Sequence, residues 1–250
     1  MNVKPNLLCV QPLHIDYPLF CYNIKKYRDL FAGVYVCLSD GHVTWLPDLS
    51  NFLTGAYKSI GAEVVRPRRT GTDWRDNAVR ELVEVAPGPR LLFIEQDFLF
   101  TDSFINSVLT TPAEFIFYNE GGRTHPAFAL VDKHTVMKTT QDFSSHPEMG
   151  LDHFGVFFQE VLRLVGTYAS LDGLHFRPRE DFYHLASLTQ NYYNFIHGEQ
   201  FYKPAEFLAY NYWVQEVNIE MNEDFDKLSL LIESKYGIGD SEGFIKKFFV

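Results

Sequence analysis

Two carboxylates separated by one residue end an apolar run in the first half of the chain. Leu91-Leu-Phe-Ile leads directly into Glu95 and Asp97, and apolar residues resume at Phe98. Acids at the end of a buried strand bind a hard divalent cation such as Mg²⁺ or Mn²⁺ through oxygen and leave positions open for water and a diphosphate. A cation held there neutralises charge on a leaving diphosphate. An ordinary acidic strand-to-turn junction has the same spacing and is the alternative.

A second group of polar residues precedes these acids by about one helix. Asp73 is placed to cap a helix predicted over 74–85, and Arg75 and Asn77 follow it in the first turns. A guanidinium and an amide at that position suit recognition of a diphosphate or a ribose. The alternative is a well-capped surface helix with solvated charges.

The elements that must position these residues alternate along the first hundred residues. Amphipathic segments predict helices at about 17–31, 48–60 and 74–85, and short apolar runs predict strands at Leu7–Val10, Val34–Leu38, Ala62–Val65 and Leu91–Ile94, the last continuing to Phe100. This alternation favours a buried parallel sheet with right-handed crossovers. Open sheets of this kind bind ligands at the carboxyl ends of their strands, where Glu95 and Asp97 are expected.

The regular alternation stops in the second half of the chain. Apolar runs at Phe115–Tyr118 and Ala127–Asp132 and a helix at about 152–165 precede an aromatic-rich tract from Phe176 to Trp213. Aromatic faces stack on sugars and on bases, although core packing accounts for most such residues. We therefore expect a single domain over 1–250 of the α/β class, a Rossmann-like mixed sheet flanked by helices with an aromatic-rich C-terminal α+β part.

The order of these elements resembles the nucleotide-sugar half of the GT-A glycosyltransferases. It runs strand, loop, strand with Asp40, strand, a helix with Arg75-Asp-Asn-Ala, and then Leu91-Leu-Phe-Ile-Glu-Gln-Asp. The acidic strand end is similar to the DXD motif of that superfamily, with Glu95 in place of the first Asp. The resemblance implies that residues 1–100 bind the nucleotide-sugar and residues 101–250 bind the acceptor. It indicates no subfamily.

The same resemblance implies roles for residues in other loops. Gln11, Asp16 and Tyr17, which follow the first strand, would line the base and ribose pocket with Asp40. Asp152, in a Gly-Leu-Asp-His-Phe-Gly segment, would be the general base that deprotonates the acceptor hydroxyl. A plain strand-to-helix loop and a helix N-cap are the respective alternatives.

A histidine late in the chain would complete the metal site by the same resemblance. His184 is the candidate and His197 the second choice, although a histidine beside aromatic residues is more often a packing residue. A glycine-containing loop over 119–126 lies between two apolar runs, where Glu120 or Arg123 would contact a sugar or phosphate. A surface turn is an equal alternative for that loop.

Composition excludes several classes of protein. With 22 Lys and Arg against 32 Asp and Glu, the formal charge of −10 argues against tight non-specific nucleic-acid binding. Three cysteines without a C-x-x-C pair indicate neither a disulfide framework nor a thiolate zinc site. Since no run approaches the roughly 18 to 20 apolar residues of a membrane span, we expect no such span and a cytoplasmic protein.

The predicted function is metal-dependent glycosyl transfer with Mn²⁺ or Mg²⁺. The donor would be a nucleotide-sugar, with a UDP-sugar expected, and the acceptor a hydroxyl of a glycan, a protein, a small molecule or a modified DNA base. A nucleotidyltransferase is an alternative, disfavoured because residues 11–17 include neither Gly nor Lys or Arg. A non-catalytic carbohydrate-binding or scaffold protein is the alternative from another class.

Overall fold

A computed structural model describes residues 3–11, 17–38, 47–66, 74–95, 98–120, 123–151, 153–177 and 181–184. The strands are β1 (Asn6–Gln11), β2 (Gly33–Leu38), β3 (Glu63–Val65), β4 (Arg90–Ile94), β5 (Phe98–Phe100), β6 (Phe115–Glu120), β7 (Arg123–Asp132), β8 (Tyr168–Ser170) and β9 (Phe182–His184). The α-helices are α1 (Tyr17–Tyr27), α2 (Pro47–Ser59), α3 (Trp74–Val85), α4 (Asp102–Thr110), α5 (Lys133–Val136) and α6 (Gly155–Leu164).

Seven of the strands form one mixed sheet. Their order is β3-β2-β1-β4-β7-β6-β8, and the first four are parallel to one another. Strand β7 is antiparallel to both β4 and β6, while β8 is parallel to β6. Strands β5 and β9 form a separate antiparallel pair. The predicted fold class, a Rossmann-like mixed α/β sheet flanked by helices, is confirmed.

The central strands are buried on both faces of this sheet. Successive side chains of a strand point to opposite faces. Leu7 and Cys9 of β1 therefore belong to the core cluster under α1, α2 and α4, while Leu8 and Val10 belong to the cluster under α3, α5 and α6. Two covered faces require apolar residues at consecutive positions, which explains why the strands are continuous apolar runs.

Helix α3 matches its predicted range, whereas other boundaries differ from the sequence prediction. In the segment predicted as one helix over 17–31, the α-helix ends at Tyr27 and is followed by a 3₁₀ turn, Arg28–Leu30. Such turns are common where a helix ends. The helix predicted at about 152–165 begins at Gly155, and its N-cap position is held by Phe154 rather than by Asp152.

The predicted fourth strand does not run unbroken to Phe100. Strand β4 ends at Ile94, and the backbone N–H of Phe98 donates to the carbonyl of Glu95 at 3.2 Å. Strand β5 then pairs with β9 instead of continuing in the main sheet.

Phe176, the first residue of the predicted aromatic tract, packs edge-on against Phe104 of α4 with ring centroids 4.8 Å apart. The tract from residue 185 onward, including His197, lies outside the described residues. Among the helices that the structure describes, none combines the length and the apolar character that a membrane crossing requires.

Aromatic side chains dominate the core on the α6 side of the sheet. Phe158 of α6 is fully buried, and its ring lies 5.4 Å from Phe115, 5.8 Å from Phe154 and 5.7 Å from Phe157, measured between centroids. Truncating such a ring removes both buried apolar area and the contacts of its neighbours.

We expect Phe158→Ala to lower the free energy of unfolding by about 3 to 5 kcal/mol, because the cavity beneath α6 cannot collapse fully. Urea denaturation followed by circular dichroism measures the change. Leu164→Ala is the matched control on the same helix, since Leu164 is 47% exposed, and it should change the value by less than about 0.5 kcal/mol. Equal effects of the two substitutions would contradict this packing.

Candidate metal centre

Glu95 lies at the carboxyl end of β4, in the middle of the main sheet. Its backbone N–H donates to the carbonyl of Ala127 at 3.0 Å, so the pairing of β4 with β7 extends one residue past Ile94. The Glu95 side chain is 13% exposed, and its Oε2 lies 3.1 Å from Nε2 of His184. An ionised carboxylate only accepts, so the ring of His184 is the donor in this hydrogen bond.

His184 reaches Glu95 because β9 pairs with β5. In the antiparallel register Phe98 lies opposite His184, and Phe100 lies opposite Phe182. The rings of Phe98 and Phe182 stack with centroids 5.0 Å apart and an interplanar angle of 17°. This pairing holds His184 against Glu95, although the two residues are 89 positions apart in sequence. Only 6% of the His184 side chain is exposed.

His125 joins the pair from the neighbouring strand β7. The register of β6 and β7 shifts between Phe117 and Tyr118, and His125 then lies opposite Tyr118. The ring of His125 lies edge-on to His184 with centroids 4.5 Å apart, and the ring of Tyr118 lies 5.3 Å from His125 and 6.1 Å from His184. A buried aromatic side chain therefore underlies both imidazoles.

The tautomer of His125 follows from its backbone neighbour. The N–H of Ala127 donates to Nδ1 of His125 at 3.2 Å, so a neutral ring carries its proton on Nε2. To act as a metal ligand, the ring must give up that hydrogen bond or move that proton. Losing one such hydrogen bond costs about 1 kcal/mol, which is small beside the free energy of a metal site.

Glu95, His125 and His184 fit a divalent cation. Each offers one ligand atom, and these atoms all lie within 4.8 Å of one another. Metal–ligand distances of about 2.0 to 2.2 Å put neighbouring ligand atoms about 3 Å apart, which is the separation of Glu95 Oε2 and His184 Nε2. Because a ligating histidine is neutral and binds through its unprotonated nitrogen, a cation held by Nε2 of His184 would replace the existing hydrogen bond, with the ring proton on Nδ1.

A small pocket opens beside Glu95 on the α3 side of the sheet. Val10 of β1, Val79 of α3, Phe93 of β4 and Phe154 line it together with Glu95. An apolar wall beside a carboxylate lowers the local dielectric and strengthens any charge interaction made there.

Phe154 has a left-handed backbone conformation at this pocket. Its φ of 65° is unusual for a residue other than glycine, and such strain costs of order 1 to 3 kcal/mol. The buried ring contacts Phe93 and Phe143, and the Phe154 N–H donates to the carbonyl of Phe143 at 3.1 Å. These contacts hold Phe154 in a fixed position directly before α6.

Helix α3 is anchored to the loop that leads toward this segment. Asp76 is buried, accepts the backbone N–H of Phe143 at 2.8 Å and pairs with Arg80 at 3.0 Å. Arg80 also donates to the carbonyl of Gln141 at 3.0 Å. The carboxylate and the guanidinium together fix the first turns of α3 against residues 141–143.

The structure brings together two of the three predicted metal ligands, Glu95 and His184. Asp97 lies outside the described residues, as do Asp16, Asp40, Asp152 and His197. Gln11 is the last residue of β1 and Tyr17 the first of α1, while Arg75 and Asn77 lie in the first turn of α3.

Sequence reasoning missed His125. The segment over 119–126 was predicted as a loop, but the structure pairs most of it as the end of the β6–β7 hairpin, with Asn119 opposite Thr124 and Glu120 opposite Arg123. A histidine just before Pro126 at the tip of a hairpin was the available signal. That histidine indicates a ligand only once β7 is known to pair with β4, and the local sequence pattern does not reveal this pairing.

A second cluster of titratable side chains, one histidine and two carboxylates, lies in the loop before Asp152. His146 is hydrogen-bonded to Glu148 at 3.1 Å and to Asp142 at 2.9 Å. These hydrogen bonds, that with Glu148 first, raise the pKa of His146 above its ordinary value. The backbone of His146 also forms a bridge with Leu151, so the cluster fastens the ends of this loop.

We expect Glu148→Gln to lower the pKa of His146 toward its ordinary value, as measured by NMR titration of the ring. Because the pKa is raised in the folded state, the cluster stabilises the loop fully below the unfolded pKa, and this stabilisation is lost as pH rises through the folded pKa. An unchanged titration in Glu148→Gln would show that the neighbouring carboxylate does not hold the charged ring.

No protein-family model matches the chain, and no curated protein is significantly similar to it in sequence. In structure it is similar to the apo form of the glycosyltransferase GlyE from Streptococcus pneumoniae, with 11% identity and a TM-score of 0.49. That match covers 90% of this chain but only 64% of the GlyE chain, so this chain spans less than two thirds of that protein.

The chain is also similar to the inositol-1-phosphate CTP transferase from T. maritima, with 10% identity and a TM-score of 0.43 over 68% of this chain and 87% of that chain. HddC from Yersinia pseudotuberculosis matches with 10% identity and a TM-score of 0.41 over 66% and 90% of the two chains. The similar structures thus include a glycosyltransferase and a CTP transferase, and identities this low indicate no subfamily.

Proposed function

We propose that the chain is a metal-dependent glycosyltransferase that moves a sugar from a nucleotide-sugar to an acceptor hydroxyl. The observation that carries this proposal is the contact of Glu95 with His184, with His125 beside them, at the carboxyl end of β4. Open α/β sheets bind their ligands at that edge. The predicted resemblance to GT-A enzymes assigns the same strand end to the donor diphosphate.

Glu95, Asp97 and His184 would hold Mn²⁺ or Mg²⁺ in this proposal. A bound divalent cation neutralises the charge that develops on the leaving nucleoside diphosphate. The chain's own contribution is to fix the ligands. The Glu95 backbone is tied to β7 through Ala127, and His184 is fixed by the pairing of β9 with β5. Both side chains are largely withdrawn from water, which strengthens their interaction with a charged ligand.

The nucleotide would bind along the same edge of the sheet. Strands β1 to β4 are parallel, so the carboxyl end of β1 at Gln11 lies at the edge that carries Glu95. Since α3 connects β3 to β4, its first turn also lies at that edge. Gln11, Asp16, Tyr17 and Asp40 would contact the base and ribose of a UDP-sugar, and Arg75 and Asn77 the diphosphate or ribose.

Asp152 would take the proton from the acceptor hydroxyl as general base. Support comes from Phe154, which follows it by two residues and lines the same pocket as Glu95. Because its ring and backbone are held in place, the strained Phe154 would keep this segment at the pocket.

Thermal unfolding with UDP-, GDP-, CMP- and dTDP-sugars, each with and without Mn²⁺ or Mg²⁺, tests the proposal. One nucleotide should raise the melting temperature by about 5 to 10 °C at a hundredfold excess over Kd, and only when the metal is present. Glu95→Gln should abolish the shift because it removes the charged ligand. His134→Gln, on the exposed surface of α5, is the matched control and should keep it.

Metal-dependent hydrolysis of the same donor to nucleoside diphosphate would distinguish a transferase from a carbohydrate-binding protein. Release of pyrophosphate from a nucleoside triphosphate and a sugar phosphate would instead show nucleotidyl transfer. A shift that survives Glu95→Gln, or no shift with any donor, would overturn the proposed site.

A further inference from the structure

We propose that His125 sets the cation preference of this site, so that it favours nitrogen-binding divalent ions such as Mn²⁺ and Co²⁺ over Mg²⁺ and Ca²⁺. The inference rests on the proposed metal-dependent function and adds a residue that neither the acidic motif nor the late histidine supplies. It identifies His125 as a protein ligand and specifies the class of ion.

The donor set supports this preference chemically. Mg²⁺ is held through one or two carboxylates plus phosphate oxygens, and it loses its water reluctantly. Mn²⁺ shares the oxygen ligands of Mg²⁺ and Ca²⁺, but it is also a first-row transition ion, and the affinity of these ions for nitrogen-containing sites rises from Mn²⁺ to Co²⁺. With His184 alone, a carboxylate-rich site would still suit Mg²⁺. The second imidazole gives the site two nitrogen donors, His125 and His184, beside the carboxylate of Glu95 and that proposed for Asp97.

The local surroundings of the three side chains favour the same class of ion. Only 13% of the Glu95 side chain and 6% of the His184 side chain are exposed, and the buried ring of Tyr118 lies against both imidazoles. An ion held here must exchange part of its hydration shell for protein atoms. That exchange is least favourable for Mg²⁺ and is better compensated for ions that bind imidazole strongly.

The backbone around His125 allows its ligand role to be separated from its packing role. The Ala127 N–H donates to Nδ1 of His125, an arrangement that an Asn side chain reproduces by accepting the N–H two residues ahead. His125→Asn therefore retains the local hydrogen bond and removes the second ring nitrogen. His125→Gln places an amide oxygen near the position of Nε2 and serves as a second variant with a hard donor.

The experiment is titration calorimetry of the full chain with Mn²⁺ and with Mg²⁺, each alone and with UDP present. Wild-type protein should bind Mn²⁺ about a hundredfold more tightly than Mg²⁺. His125→Asn should weaken Mn²⁺ binding about tenfold or more and change Mg²⁺ binding by less than about threefold. His134→Gln should leave both affinities unchanged. Metal-free melting temperatures of the variants report whether they fold.

Several outcomes separate this inference from the proposed function. If Glu95→Gln and His184→Gln lose Mn²⁺ but both His125 variants keep the wild-type ratio of affinities, His125 is a packing residue and only the present inference fails. Equal affinity of the wild type for Mn²⁺ and Mg²⁺ would also overturn it. If the wild type binds neither ion, with or without UDP, the metal-dependent function fails as well.

Discussion

The hydrogen bond between Glu95 and His184 joins the two sheets of the protein at the point where the candidate site lies. A carboxylate this far withdrawn from water is costly unless a charged or hydrogen-bonding partner compensates it. The partner comes from β9, and β9 is held in place by its pairing with β5 and by the stacking of Phe98 on Phe182. The geometry of the site therefore depends on the pairing of two three-residue strands, which holds His184 against a residue 89 positions earlier in the sequence.

The position of His125, on the neighbouring strand β7, depends on a different constraint. Strand β7 is the first antiparallel neighbour of the parallel strands, and its first residues lie at the edge where β4 ends. The shift in register between Phe117 and Tyr118 sets which residue of β7 stands opposite Tyr118, and that residue is His125. A slip of one residue would send the side chain to the other face of the sheet. The position of one imidazole is thus a consequence of one irregularity in a hairpin.

Sequence pattern was enough to predict the parallel half of the sheet. Strands β1, β2 and β4 are continuous apolar runs because both of their faces are covered, and Trp74–Val85 has the predicted bounds of its helix. Glu95 could be singled out because it and Asp97 directly follow four apolar residues at the end of a predicted strand, although an ordinary acidic junction has the same spacing. His184 was selected by resemblance, and its Nε2 lies 3.1 Å from Oε2 of Glu95.

The features that were not predicted all depend on distant contacts. The chain after Glu95 was expected to continue one strand, but its partner β9 lies more than eighty residues away in sequence. His125 had no local signal of its own beyond a position near Pro126. The left-handed backbone of Phe154 is stabilised by Phe93 and Phe143, which no periodicity relates to it. Local pattern specifies elements, whereas these positions are specified by how the elements pair.

We propose above all that a divalent cation binds at the carboxyl end of β4. Anomalous diffraction from crystals grown with Mn²⁺ and UDP tests it most directly, because manganese is located independently of the protein atoms. We expect one anomalous peak about 2.0 to 2.3 Å from a carboxylate oxygen of Glu95 and from a ring nitrogen of His184, with the hydrogen bond between them replaced. A peak elsewhere, or no peak and an intact hydrogen bond between Glu95 and His184, would contradict it.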